Sequence, residues 1–441
     1  MAGKISPLAG KCGLFAVCCA LFLLEGAIGA EAALVLSLDE CLAVAEANHP
    51  SITGAEASVA SAAGRLASNA VSDRTEISGS AAVSRSGSEI SQNSSSSLGL
   101  SASLKIYDAN RSKYALDSSR ASLSATEEDA RGTLFEVRSN VKSAFLTLLL
   151  DYEIARQRME SLKAFEQHLE QAKGFYEAGT KPWYDVTKAE VDLGNAQMSL
   201  AEASANIRNA RASLAGAMGV DPSEEFEITS PGLDIMDIPD GAESAAEETA
   251  LENRTDYISS QFKIDAGRLT LRSEARSGSP TISLTGGYNW DGKDFYDLEM
   301  GWNTGLRMSV PIVDGGAQKA RIDIANAQIM SLEASHEKLR QDILLEVSRA
   351  KTDITKARER IRISELTLIN AEENRKMAVG RYETGVGDPL EVADALVSFA
   401  DAQLANKQAH HDLQLAIINL EKATGVEFGL KNAAESDGGK Q

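Results

Sequence analysis

Tyr176-Glu177-Ala178-Gly179 and Tyr382-Glu383-Thr384-Gly385 stand 206 positions apart, and the offset holds without a gap along the chain that surrounds them. It carries Ile106-Tyr107-Asp108 onto Ile312-Val313-Asp314, Ala196-Gln197 onto Ala402-Gln403, and Gly219-Val220 onto Gly425-Val426. Such a register is an internal duplication, so the 441 residues are built on one plan used twice. In each copy a long helical pattern meets glycine, turns through Pro182 or Pro389, and restarts beside an acidic residue, Asp185 or Glu391. That order is helix stop, turn and helix start. Two long helical hairpins with matching tips are expected.

The first copy spans 31–225. A helical pattern from Leu38 to about Ala70, interrupted at Pro50, leads into two alternating runs within about 75–107. In the second run Leu98, Leu100, Ala102, Leu104 and Ile106 alternate with Gly99, Ser101, Ser103 and Lys105, which is the period of a half-buried strand. The polar stretch Gly87 to Ser97 reads as the loop between them. A long helix over 110–177 follows, about 100 Å at ~1.5 Å per residue, with Val141, Phe145, Leu148 and Tyr152 as its seam. A shorter helix over 185–217 completes the copy. After a linker at 226–243, the second copy (244–430) repeats the order. It has one helix from about Ser244 to Glu274, two strands within about 281–312, a long helix over 316–383 and a short one over 391–423. The second long helix has its seam at Leu344, Val347, Ile354, Ala357 and Ile361. The polar tail 431–441 is expected to be disordered.

Composition excludes several function classes. The net charge of −20 offers no basic stripe for nucleic acid. After residue 30 no apolar run reaches the ~20 residues of a membrane-spanning helix, so a membrane crossing by this chain would need a barrel. His49, His168, His336, His410 and His411 show no metal-ligand spacing and read as structural or surface residues. No Ser/His/Asp grouping and no phosphate-cradling glycine loop is present. Neither an enzyme nor a cofactor protein is expected. Residues 1–30 read as an export signal, with Lys4 and Lys11 before an apolar core Gly13 to Leu24 and small residues after it. Three of the four cysteines lie in that signal, so the mature chain keeps Cys41 alone and no internal disulfide.

Each long helix matches two half-length helices end to end, so its seam can be covered along its whole length. Four strands with one apolar face cannot close a barrel, since the smallest lipid-embedded barrels use about eight, and lipid does not tolerate open edges. Closure therefore requires strands from other copies. Tyr288, Trp290 and Trp302 on the apolar face suit an aromatic girdle at the membrane boundary.

The chain resembles the TolC-like outer-membrane factors. The resemblance is carried in order by Leu38-Asp39-Glu40-Cys41-Leu42, Asn48-His49-Pro50-Ser51-Ile52, Val310-Pro311-Ile312-Val313-Asp314-Gly315-Gly316, and Arg381-Tyr382-Glu383-Thr384-Gly385 with Glu391-Val392-Ala393-Asp394-Ala395. It implies a mainly α chain with a membrane β-barrel portion. Three copies would share a 12-stranded outer-membrane barrel above a periplasmic α-barrel, with a mixed equatorial belt between them. The implied function is passive export, opened at the periplasmic tips by an adaptor protein and an inner-membrane transporter. Tyr382 and Asp185 would then make gating contacts. Gly179, Pro182, Gly385, Gly387 and Pro389 would form the tip turns that meet the adaptor, and Glu391 and Asp394 an acidic ring at the aperture. The basic residue that such tips often carry after the second glycine is absent from Val386-Gly387-Asp388, and Lys181 is the candidate to replace it. A structural coiled-coil spacer or envelope tether in the periplasm is the alternative from another class.

Overall fold

A computed structural model describes residues 34–428, apart from 73, 89–90, 230–235, 237 and 240. The expected signal at 1–30 and the tail at 431–441 lie outside the described residues.

The element order follows from local chemistry and repeats almost residue for residue. Strand β1 (Leu34–Leu36) leads to helix α1 (Leu38–Asn48). There Ser37 and Glu40 form a reciprocal capping box: the Glu40 amide donates to Ser37 Oγ at 3.3 Å and the Ser37 amide to Glu40 Oε2 at 2.7 Å. His49 is extended, and Pro50 opens α2 (Pro50–Val71) at the position where a missing N–H costs nothing. Strands β2 (Glu76–Ser88) and β3 (Ser91–Tyr107) precede the long helix α3 (Arg111–Glu177), and α4 (Trp183–Met218) returns from the first tip. A short β4 (Phe226–Ile228) pairs in parallel with β1. The second copy comprises α5 (Ala242–Asn253), α6 (Thr255–Ala275), β5 (Thr281–Gly292), β6 (Glu299–Ser309), α7 (Ala317–Glu383) and α8 (Pro389–Thr424). Helices α3 and α7 are both 67 residues long, α4 and α8 both 36, and their bounds differ by the same 206 positions.

Three differences from the sequence reading have physical causes. The stretch 87–97 is not a loop, because Gly87 pairs with Gln92 and Ser88 with Ser91, so the ladder runs through most of it. Serines end the hydropathy alternation, but ladder hydrogen bonds come from the backbone and do not need apolar side chains. Strand β6 stops at Ser309 and not at Ile312, just before Pro311, which has no N–H to donate. The single helix expected over 244–274 is two helices, broken at Arg254 in an extended conformation. Arg254 occupies the place that His49 holds in the first copy.

Both breaks are met by the glycine that ends a short helix. Gly219 (φ +73°) lies against His49, where a Cβ would come within 2.7 Å of the His49 Cα. Gly425 (φ +71°) lies against Arg254 at 3.1 Å by the same measure. The Arg254 guanidinium is held by Asp256 (2.7 Å) and by Glu346 of α7, which fixes the second joint without proline.

The core lies in this middle zone, where Cys41, Val141, Phe145, Leu149, Leu214, Met218, Ile343, Val347, Ile418 and Leu420 pack together. The linker adds to it: β4 completes the two-stranded sheet, and Met236 exchanges two backbone hydrogen bonds with the Gln414 side chain. The described parts of the linker thus pack onto this middle zone.

The remaining strands form one antiparallel sheet in the order β2-β3-β5-β6. Its register places Ala81, Leu98, Trp290 and Met300 in one row and Gly79, Leu100, Tyr288 and Trp302 in the next. Cross-strand partners share a face, so one face is apolar. Ser80, Gly99, Asn289 and Gly301 form a row on the polar face. Strands β2 and β6 are free edges among the described residues. No helix there is long and apolar enough to cross a membrane.

Candidate functional site

The two tips are built by glycines that only their backbone conformation explains. Gly179 (φ +71°) and Gly385 (φ +77°) end α3 and α7 in the left-handed region. At the second tip the amides of Val386 and Gly387 both donate to the Arg381 carbonyl, at 3.1 and 2.9 Å. A Cβ on Gly387 would lie 2.7 Å from the Tyr382 nitrogen, so the fold requires glycine there. Asp388 caps α8 by accepting from the Leu390 amide at 2.9 Å, and Pro389 follows at the first helical position. Pro182 is one place earlier, the extended cap residue before α4, and offers no side-chain hydrogen bond.

The hairpins meet over Tyr382, which is fully buried. Its ring takes the edge of Phe175 at 5.3 Å and 89°, and the His168 ring at 5.3 Å. The Lys181 ammonium sits 5.1 Å from the ring centroid and donates to the Gly387 carbonyl at 3.0 Å. Lys181 therefore does join the two tips, through a carbonyl and an aromatic face. Asp185 is buried in the same cluster, but no hydrogen bond links it to Tyr382. The Tyr382 hydroxyl and Asp185 Oδ2 both lack a partner among the described residues. Burial, and then the Asp185 and Asp388 carboxylates, push the Tyr382 hydroxyl above its ordinary value. Burial also raises the Asp185 carboxyl, against the pull of Lys181.

The two acidic residues beyond the second tip differ. Glu391 is paired with Arg381 at 2.7 Å, whereas Asp394, one turn on, is exposed and has no ion-pair partner among the described residues. Only Asp394 offers an uncompensated charge. On the four-stranded sheet Tyr288 stands directly opposite Trp302, and Trp290 opposite Met300, with the Tyr288 and Trp290 rings 6.4 Å apart. The three aromatics share one exposed apolar face.

His168 is the residue the sequence reading passed over. It is buried, and burial lowers its imidazole below the ordinary value, against the raising effect of Asp192 and Asp185. Its signal lay in helical spacing: Phe165, His168, Ala172 and Phe175 recur at 3, 4 and 3, placing it on the inward face of α3. Among the described residues no His/Cys/Asp/Glu group is arranged to hold a metal ion.

Comparison with known proteins adds the family. The model of the outer membrane efflux protein family matches residues 42–220 and 247–426, one stretch in each copy of the duplication. The fusaric acid resistance protein FusA of Burkholderia cepacia is 27% identical over 245 residues, covering 54% of this chain and 45% of that protein. Outer membrane protein OprJ of Pseudomonas aeruginosa is 25% identical over 322 residues, 71% of this chain and 66% of that protein. The matched segments thus span less than two-thirds of either relative. A crystal structure of CusC superposes with a TM-score of 0.80 at 21% identity, covering 92% of this chain and 96% of that one. At that identity the likeness speaks for the fold.

Proposed function

Because the chain belongs to the outer membrane efflux protein family, we propose that it is a passive outer-membrane exit duct with a long periplasmic extension. Three copies close one 12-stranded barrel and one helical tube. An adaptor and an inner-membrane transporter open the tips and supply the energy. The cargo passes through a tripartite efflux or secretion system and is sensed by the duct only as charge and size. Tyr382, Asp185 and Lys181 hold the tips together, the glycine and proline turns face the adaptor, and Asp394 gives the aperture its negative charge.

The observation that carries this reading is incompleteness by the chain's own internal standard. Helix α6 has two packed faces. Tyr257, Ile264 and Gly267 face its own long helix, α7, while Ser259 and Ala266 face α3 of the other copy. There the Ser259 hydroxyl donates to the Ala125 carbonyl at 3.0 Å, and Ser118 to that of Ala266 at 3.0 Å. Counted from the matching breaks at His49 and Arg254, the counterpart helix α2 half-buries Ile52, Val59 and Ala62 but leaves Gly54, Ser58, Ser61 and Ser68 exposed. The missing neighbour is α7 of a second chain, and β2 and β6 leave the sheet open in the same way. Closure in lipid then follows from the cost of unpaired edges. The number three comes from the family resemblance.

Transposing the Ser259–Ala125 contact predicts that Gly54 meets Ser331 of a neighbouring copy. Cysteines at those positions (Gly54→Cys with Ser331→Cys) should form intermolecular disulfides in outer membranes, giving covalent trimers on a denaturing gel, and the purified protein should conduct in planar bilayers. Monomers under oxidation together with silent bilayers would remove the reading and leave the periplasmic spacer.

A further inference from the structure

Among the described residues, four of the ten buried side-chain polar atoms without a hydrogen-bond partner belong to one cluster at the tip: His168 Nδ1, the Tyr382 hydroxyl, Asp185 Oδ2 and Asp192 Oδ2. Buried polar groups are ordinarily paired, so such a concentration calls for a role. Helix α3 contributes His168, and α4 contributes Asp185, Lys188 and Asp192, with Lys188 on Asp192 Oδ1 at 2.6 Å. The first turn contributes Lys181, α7 Tyr382 and the second turn Asp388.

The duplication shows that the arrangement is particular to one seam. The counterpart of His168 is Asn374, which is exposed, and the counterpart of the fully buried Tyr382 is Tyr176, which is 44% exposed. A titratable ring therefore abuts the locking tyrosine only where the first hairpin of a chain meets the second hairpin of the same chain.

We propose that His168 is a positioning residue of the tip, acting through Tyr382, and that proton uptake on its imidazole unlocks the seam between the two hairpins. This rests on the reading of the tips as the closed end of a duct. The closed tip holds the ring among Tyr382, Phe175 and the α4 side chains, shut away from water. An imidazolium there loses its hydration, Lys188 already holds Asp192 at 2.6 Å, and the attraction of Asp185 and Asp192 is outweighed by burial. Burial accordingly holds the closed-state imidazole below its ordinary value. A ring freed into water titrates near ~6.5. The open tip thus binds the proton more tightly, and acidification through that range favours opening, by about tenfold in the open-to-closed ratio for each pKa unit separating the states. Asp185 acts in the opposite sense at lower pH. Burial raises its closed-state carboxyl, so its protonation favours the closed tip in the carboxylate range.

The test uses the full mature protein with a nitroxide on Glu383→Cys, which faces Gln171 across this seam at 3.5 Å. Native Cys41 is fully buried, with its thiol pushed up to about 11, and does not compete for the label. Label mobility and bilayer conductance are followed from pH 7.5 to 5.0 in the otherwise native protein, in His168→Asn (the counterpart residue) and in His168→Gln. Both signals should rise below about pH 6.5 with His168 present and stay flat in both variants. No pH response in the labelled protein with His168 intact overturns the proposal, and so does a response that survives in either variant. A His168-dependent change in mobility without conductance at any pH supports the proposal and sinks the duct reading instead.

Discussion

Glu421 and Lys142 form the most deeply buried ion pair among the described residues, and removing one partner should cost far more than any surface pair. Lys142 Nζ lies 2.9 Å from Oε2 and 3.1 Å from Oε1 of Glu421, and the Phe428 amide also donates to this carboxylate. The two side chains are 4% and 0% exposed. The pair ties α3 of the first copy to α8 of the second. Glu421→Ala leaves a buried ammonium unpaired and an amide without its acceptor, a cost of about 3–5 kcal/mol. Lys338 and Asp342 make a shorter contact, 2.6 Å, but are 76% and 48% exposed. Solvent screening there predicts ~1 kcal/mol or less for Lys338→Ala. Burial and not distance decides the difference. Replacing both partners with apolar residues, Lys142→Met with Glu421→Leu, should recover most of the loss, because no buried charge remains unpaired. Denaturant unfolding in detergent, followed by helical circular dichroism, reads all four proteins. Where unfolding is irreversible, the unfolding rate serves, at about tenfold per ~1.4 kcal/mol. Equal costs for Glu421→Ala and Lys338→Ala would refute the reasoning.

Gly219→Ala should destabilise the joint at His49 more than Gly425→Ala destabilises the one at Arg254. Both enter the left-handed region at ~1–2 kcal/mol, but the first also drives a Cβ to 2.7 Å from backbone, against 3.1 Å for the second; thermal unfolding of the two variants ranks them. In single-channel recordings Asp394→Asn should reduce cation selectivity more than Glu391→Gln, because Arg381 already neutralises Glu391; the opposite order would locate the aperture charge elsewhere. On the sheet, Leu306 and Gly305 are neighbours on opposite faces. Leu306→Arg should impair assembly by up to ~2–4 kcal/mol, as a lipid-facing cation does, while Gly305→Arg assembles normally; heat-modifiable migration on gels distinguishes them.

The sequence by itself determined the duplication, the hairpin tips and the two faces of the sheet. Each of these is written in local chemistry: glycine where φ is positive at Gly179 and Gly385, proline at Pro50 and Pro389, and strict alternation from Leu98 to Ile106. Local signals also misled where side chains and backbone part company, as in the serine-rich stretch that pairs as strand through Ser88 and Ser91. Only the tertiary structure decided which distant residues meet. The break at Arg254 follows from the approach of Gly425, and the pairing of Lys142 with Glu421 joins residues 279 positions apart. The burial of His168 against Tyr382, like the neutralising of Glu391 by Arg381, depends on where a neighbouring segment comes to rest. A periodic pattern says which side of a helix is covered, but it does not say by what. The charge an acid or a histidine carries depends on that answer.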